Sequence, residues 1–239
     1  MNESVHFPII ATIHSPFKEK FGIPRQPNLV DVPCYIELLA PYNDKSAFEG
    51  IEAFSHLWLL WVFHDNKKQQ SFKPQVRPPR LGGNQKIGVF ATRSMYRPAN
   101  IGLSVVKLVS VEQHNNGIRL CVQGSDLLDG TPILDIKPYI SYSDAIIDAK
   151  SGYAVEAPLL KQVFWHTEAL NQRTALLQQH HTSEQELKYL EQVLALDPKP
   201  AYQQDIERVY GLRFSNLEVK FKVKLQDVFI VNLQYVGLG

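Results

Sequence analysis

Ser104-Val105-Val106-Lys107-Leu108-Val109-Ser110-Val111-Glu112, then Gln113-His114-Asn115-Asn116-Gly117, then Ile118-Arg119-Leu120-Cys121-Val122-Gln123 is the stretch that decides the fold. Two β-branched runs flank an Asn-Asn-Gly turn. Asparagine and glycine tolerate the positive φ of a tight hairpin, so the stretch predicts two antiparallel strands. Similar runs lie upstream: Ile9 to Ile13, Cys34 to Leu39, His56 to Phe63 and Ile87 to Ala91. His56 to Phe63 is apolar at nearly every position, as a central strand with both faces covered would be. Ile133 to Ile136 closes the series downstream. Short strands at this spacing, with turn residues between them, predict a sandwich or a barrel. One helical piece, Lys45 to Phe54, is expected to interrupt them, with Phe48 and Ile51 on one face.

After about residue 140 the pattern changes. Ser183-Glu184-Gln185-Glu186 is a capping-box sequence, and Leu187, Leu190, Val193 and Leu194 follow at helical spacing up to Asp197-Pro198. A second helix is expected over Leu170 to Gln179. Val219, Phe221, Val223 and Leu225 alternate with Lys220, Lys222 and Lys224, the period of a half-buried strand. The expected fold class is therefore mainly β with an α+β appendage: an antiparallel sandwich or barrel over 1–142 and a small C-terminal α+β domain over 143–239.

The chain has 239 residues and a formal net charge of +1, with 44% apolar and 21% charged residues. That balance is globular and excludes a chain disordered throughout. Cys34 and Cys121 form no CxxC and are expected reduced and buried. No apolar run is long enough to cross a bilayer, and the N-terminus lacks the basic and apolar regions of a secretory leader, so a cytoplasmic location is expected. Beneath the near-neutral total, charge is segregated. Nine basic residues and no acid lie between Lys67 and Lys107, whereas Asp126, Asp129, Asp135, Asp144, Asp148 and Glu156 follow with only Lys137 and Lys150 near them. A proline- and glycine-punctuated basic loop suits phosphate contacts; it is equally a solvated surface balanced by the acids.

Three segments could carry chemistry. Phe90-Ala91-Thr92-Arg93-Ser94-Met95-Tyr96-Arg97-Pro98-Ala99-Asn100-Ile101-Gly102-Leu103-Ser104 sets two arginines and a glycine before a strand, a pattern for holding a carboxylate or phosphate, or simply a tight turn. Gly124-Ser125-Asp126-Leu127-Leu128-Asp129-Gly130-Thr131-Pro132 offers carboxylates, though without the alternate-oxygen spacing of a calcium loop. Pro24-Arg25-Gln26-Pro27 is a stiffened loop with two polar side chains. His64-Asp65 and His180-His181 lack metal-site spacing, so no metal is expected. The absence of Gly-x-Gly-x-x-Gly, Walker A and Gly-x-Ser-x-Gly argues against dinucleotide enzymes, P-loop NTPases and common hydrolases.

Several of these segments, in this order, resemble the TsaA/TrmO-like family: Pro24-Arg25-Gln26-Pro27, Glu52 to Trp58, Arg77-Pro-Pro-Arg80-Leu-Gly-Gly83, Phe90 to Ser94, Arg97-Pro98 with Ile101 to Ser104, Asp126 to Pro132 and Asp135 to Tyr139. The tail continues the resemblance at Asp197 to Tyr202 and Tyr210 to Phe214. The resemblance implies a β-barrel-like N-terminal domain that binds its cofactor without a Rossmann sheet, and a small C-terminal domain. It implies an S-adenosylmethionine-dependent methyltransferase acting on N6 of the threonylcarbamoylated adenosine next to the anticodon, chiefly in threonine tRNA, and working as a homodimer. It implies a cofactor site at Pro24, Arg25, Gln26, Pro27, His64, Asp65, Arg93, Leu103, Asp126, Leu127, Leu128 and Asp129. Within that site Arg25 or Arg93 would suit the cofactor's carboxylate, and Asp126 and Asp129 its ammonium and hydroxyls. No general base is assigned, with His64 and Asp65 the only candidates. Arg77, Arg80, Tyr96, Arg97, Lys199, Tyr202 and Arg213 are candidate tRNA contacts. Two departures from the family text stand out: Pro98-Ala99-Asn100 in place of Pro-Asn-Pro, and Lys199 where an arginine is usual. Two other functions stay open at this point, a nucleotide- or RNA-binding module without methylation and a methyltransferase for a small molecule.

Overall fold

In a computed structural model, residues 5–66, 71–115, 117–200, 203 and 205–237 are described. The hairpin is present and longer than expected. β6 runs from Ile101 to His114 and β7 from Gly117 to Gln123, with Asn115 at positive φ in the turn. The other strands of this domain are β1 (Ala11–His14), β2 (Pro33–Leu38), β3 (His56–Val62) and β8 (Pro132–Pro138). Their order is β1-β2-β7-β6-β3-β8, and β8 pairs back onto β1, so the antiparallel ladder closes into a barrel. A closed ladder leaves no strand edge along most of its circumference.

Alternation sets the interior. Ile13, Ile36, Leu57, Leu59, Val106, Leu120 and Ile133 are all fully buried, one per turn of the pleat. β3 departs from the expectation of two fully covered faces. Leu57, Leu59 and Trp61 point inward, while Trp58 and Leu60 are half-buried. On the outer face Trp58 donates its indole N–H to Asp144 (2.9 Å) in the single helical turn α1 (Ser141–Asp144).

The helix expected over Lys45 to Phe54 is instead two 3₁₀ turns, Lys45–Phe48 and Ile51–Ala53, separated by Gly50 at φ 85°. A left-handed residue cannot continue a right-handed helix. Phe48 and Ile51 nevertheless pack on the barrel core as their spacing suggested. The strand expected over Ile87 to Ala91 is also shorter: β4 (Gln75–Val76) and β5 (Ile87–Gly88) form a two-residue ladder, and Val89–Ala91 is a 3₁₀ turn.

The second body contains β9 (Gln162–Trp165), α2 (Thr167–Gln178), α3 (Glu184–Ala195), β10 (Val209–Phe214), β11 (Leu217–Lys224) and β12 (Asp227–Tyr235). The sheet order is β10-β11-β12-β9, with β9 parallel to β12. Ser183 caps α3 by accepting from the Glu186 amide at 3.1 Å. Leu187, Leu190, Val193 and Leu194 then bury against Leu212, Val219, Phe221 and Ile230.

Charge and periodicity could not reveal one feature. The connection between β1 and β2 leaves the barrel and joins the core of this second body. Phe17, Val30 and Val32 are buried there beside Phe214 and Leu190. Phe17 meets Phe214 edge-on at 6.1 Å, and Phe21 stacks on Tyr210 and Phe221. Backbone ties follow: Ser215 N–H to the Pro16 carbonyl at 2.7 Å, and Arg213 N–H to the Glu19 carboxylate at 2.9 Å. Gly22 sits at φ 91°, where a Cβ would come within 2.3 Å of Leu212, so backbone angle and space both demand glycine. The loop at Pro24 to Pro27 is thus anchored on both bodies at once.

Candidate cofactor site

β6 pairs with β3 from Ile101 to Lys107 but meets β7 only from Lys107 onward. Its first half therefore has one side without a strand partner. Val105 points its carbonyl to that side, where it accepts from the Asn28 amide nitrogen at 3.0 Å. Leu103, two residues earlier, directs its own amide and carbonyl the same way, since backbone groups alternate along a strand. Asn28 also donates its backbone N–H to the Gly124 carbonyl at 2.8 Å. It does so from φ 63°, a conformation that asparagine accepts more readily than most residues. Gly124 (φ 82°) matches it, because a Cβ there would lie 2.3 Å from the Asn28 side-chain oxygen. One asparagine therefore stitches together three candidate segments, 24–27, 101–105 and 124–129. Sequence reasoning missed Asn28; its only signal was an asparagine directly after Pro27.

Behind that junction runs a buried chain of donors. The Trp61 indole N–H donates to Ser104 Oγ at 3.0 Å, and the Ser104 hydroxyl donates to Asp126 Oδ1 at 2.6 Å. Trp61 and Ser104 are both buried. The Trp61 ring lies across Gly102, where a Cβ would fall 2.3 Å from Cε2 and Cζ2. The Gly102-Leu103-Ser104 text is thus explained residue by residue: glycine admits the indole, Leu103 presents backbone, and serine passes the hydrogen bond to the carboxylate. Burial pushes the Asp126 carboxyl up to about 6, against the lowering effects of the Ser104 hydrogen bond, a backbone hydrogen bond and the nearby Arg93 charge. Arg93 also donates to Gln26 Oε1, which brings the loops at 26, 93 and 126 together.

The other predicted residues divide. Asp129 is committed to the fold: it accepts from Ser15 N–H at 2.8 Å and pairs with Lys18 at 2.7 Å. Leu127 is fully buried and offers only backbone; its carbonyl accepts from Ser15 Oγ at 2.9 Å. Leu128 is half-buried, with its carbonyl taken by Thr131. Arg25 reaches across to the Lys199 carbonyl at 3.5 Å, linking the loop to the second body. His64 and Asp65 are exposed just beyond β3, and Asp65 pairs with Lys20 at 3.3 Å.

Among the candidate RNA contacts, Arg77 is exposed, Tyr96 is 48% exposed and Arg213 is exposed on β10. Arg80 donates to the Glu156 carbonyl, and Arg97 donates to the Thr92 carbonyl at 2.9 Å. Lys199 bonds the Gln203 carbonyl at 3.3 Å and lies 3.6 Å from Asp197, so its charge is largely spent within the fold. Tyr202 lies outside the described residues. Lys222 and Lys224 both pair with Glu207. Among the described residues no cluster of histidine, cysteine and carboxylate could hold a metal, and no helix is long and apolar enough to cross a membrane. Cys34 and Cys121 are unpaired and buried, with burial raising the Cys34 thiol to about 12.

A closed antiparallel sheet with a hydrogen-bonded loop cluster at the start of β6, joined to a small α+β body, defines a class of two-domain, barrel-based proteins with no Rossmann sheet. Two family models match the chain: the tRNA-methyltransferase O N-terminal domain over residues 12–145 and the TrmO C-terminal domain over 160–236. The chain belongs to the TrmO family. It is 42% identical over 223 residues to a tRNA (adenine(37)-N6)-methyltransferase of Escherichia coli K12, covering 92% of this chain and 94% of that one. It is 45% identical to a putative S-adenosylmethionine-dependent methyltransferase of Pseudomonas aeruginosa over 93% of this chain and 94% of its relative. A crystal structure of TrmO from Pseudomonas aeruginosa superposes with a TM-score of 0.78 at 36% identity, covering 98% and 99% of the two chains.

Proposed function

We propose that this protein transfers a methyl group from S-adenosylmethionine to N6 of adenosine 37 in tRNA, and that the substrate is the threonylcarbamoylated nucleoside of threonine tRNA. The observation that carries the reading is the Trp61–Ser104–Asp126 chain beside the unladdered edge of β6, within a family whose relatives are named for this reaction.

The residues fit the cofactor's chemistry. Asp126, with Ser104 holding only one of its oxygens, supplies an acceptor for an ammonium or hydroxyls. Arg93 supplies a guanidinium for a carboxylate, and the backbone at Leu103 supplies a donor and an acceptor for an adenine edge. When bound, the sulfonium brings an already activated methyl group, so the protein's task is alignment. Ser104 and Asn28 hold the two loops in register, and Trp61 excludes water from beneath them. The basic segment between Lys67 and Lys107 attracts the anticodon arm.

The protein acts in the cytoplasm as a homodimer. Ile146, Ile147, Leu159 and Leu160, between α1 and β9, expose apolar surface that a second copy would cover.

Nucleoside mass spectrometry on purified protein, cofactor and tRNA with or without the threonylcarbamoyl group tests the reading. Methyl gain confined to the modified tRNA is expected, with light scattering on the same sample giving twice the 27.2 kDa chain mass. Tight tRNA binding without methyl gain would identify a binding module. Cofactor binding without tRNA binding would identify a small-molecule methyltransferase.

A further inference from the structure

Phe72 and Phe90 are 56% and 71% exposed, and their rings face one another at 6.3 Å with an interplanar angle of 30°. Neither belongs to a hydrophobic core. Both are nevertheless held in place. Val89, next to Phe90, is fully buried, and its amide donates to the Pro74 carbonyl at 2.9 Å, two residues from Phe72. Thr92 closes the turn by donating both its amide and its hydroxyl to the Val89 carbonyl. The pair is thus a fixed aromatic surface on a braced hairpin.

Its surroundings are cationic. Lys73 adjoins Phe72, and Arg77, Lys86 and Arg93 lie in the same excursion between β3 and β6, which contains no acid from Lys67 to Lys107. Among the described residues Lys73, Arg77 and Lys86 make no ion pair, whereas Lys18, Lys20, Lys161 and Lys199 all do, and the charge of Arg93 is shared with Asp126. Exposed aromatic rings amid unneutralised cations are what single-stranded nucleic acid requires, since every base has a π face and every linkage a negative charge. Phe90 also precedes Arg93 by three residues, so no more than about 11 Å separates the Cα atoms of these two residues.

We infer that Phe72 and Phe90 form a stacking platform for an unpaired base of the anticodon arm, with Lys73, Arg77 and Lys86 holding the flanking phosphates. This rests on the reading of the protein as a tRNA methyltransferase. It assigns base stacking to this pair rather than to Tyr96.

The test uses the full-length protein and fluorescein-labelled substrate tRNA. Phe72→Ala and Phe90→Ala should each weaken tRNA binding about 10-fold, with cofactor affinity by calorimetry unchanged in Phe72→Ala. Phe90→Trp should keep tRNA affinity within about threefold, and its new indole fluorescence should be quenched by tRNA. Lys86→Gln should lower the slope of log affinity against log salt by about 0.7–0.9. Wild-type tRNA affinity in both alanine variants would overturn the platform, as would a halved mass in light scattering, which would mark the rings as a contact between two copies. If the wild-type protein methylates no tRNA, the parent reading fails instead. If it methylates normally and the variants bind normally, only the platform fails.

Discussion

Asp126→Asn will be more stable than the wild type at pH 7.5, yet will bind the cofactor about 10- to 100-fold more weakly, the cost of losing a hydrogen bond to a charged group. The two effects have opposite signs because one carboxylate causes both. Burial lifts the folded-state pKa of Asp126 from the ordinary 3.8 to about 6. Between those values the folded protein holds a proton that the unfolded chain has lost. Stability from this group is therefore greatest in acid and falls as the pH rises towards 6. Asparagine keeps the acceptor oxygen that Ser104 needs and removes the buried charge. A rise in Tm of about 2–4 °C at pH 7.5, what ~1 kcal/mol gives in a chain of this size, is expected. The advantage should vanish as the pH approaches 4. Wild-type cofactor affinity should drop below pH 6, as Asp126 takes up its proton, and the variant should lack that limb. Thermal unfolding and calorimetry across pH 4–8 decide the matter. A variant with unchanged affinity and the same pH profile would remove Asp126 from the site.

The parts of this site that were legible in the sequence are those set by local chemistry. The Asn115–Gly117 turn announced the hairpin, the Ser183 cap announced α3, and the clustered arginines and aspartates announced polar loops. What was not legible depends on contacts between distant segments. Asp126 and Asp129 are the same residue type three positions apart, yet one ends a buried hydrogen-bond chain and the other is tied to Ser15 and Lys18. No pattern within Asp126-Leu-Leu-Asp129 separates those roles; the partners at 15, 18 and 104 do. Likewise the burial of Phe17, Val30 and Val32 in the second body follows from where β1 releases the chain, not from periodicity. Part of the chain before residue 142 therefore packs in the second body. The helix expected over Lys45 to Phe54 failed for a simpler reason: Gly50 at φ 85° interrupts it, while its apolar positions still reach the core.

Gly102→Ala will cost about 1–3 kcal/mol of stability, the usual penalty for overfilling a packed interior, and will lower methylation at least ~100-fold. The added Cβ would sit 2.3 Å from Trp61 Cε2 and Cζ2. A rigid indole cannot yield as a flexible side chain would. It is also confined by Phe63, whose ring meets it edge-on at 4.3 Å. Relief requires the ring to move, and movement takes the indole N–H away from Ser104. Ser104 then loses the donor that fixes its hydroxyl, and Asp126 loses its orientation. A displacement of about 1 Å in a positioning group is enough for a 100-fold loss in rate. Ser104→Ala separates orientation from packing: it adds no volume and leaves the Trp61 ring where it is, so its stability cost is that of the indole N–H it leaves unpaired, about 1–3 kcal/mol, and it should lower activity without any steric clash. Adding Trp61→Phe to Gly102→Ala should restore stability by freeing space and should not restore activity, because phenylalanine has no N–H to give. Recovery of both in the double variant would mean that Trp61 serves only to fill the barrel. Recovery of stability alone would show that the glycine is kept so that an indole can hold a serine, and through it a carboxylate, at the edge of β6.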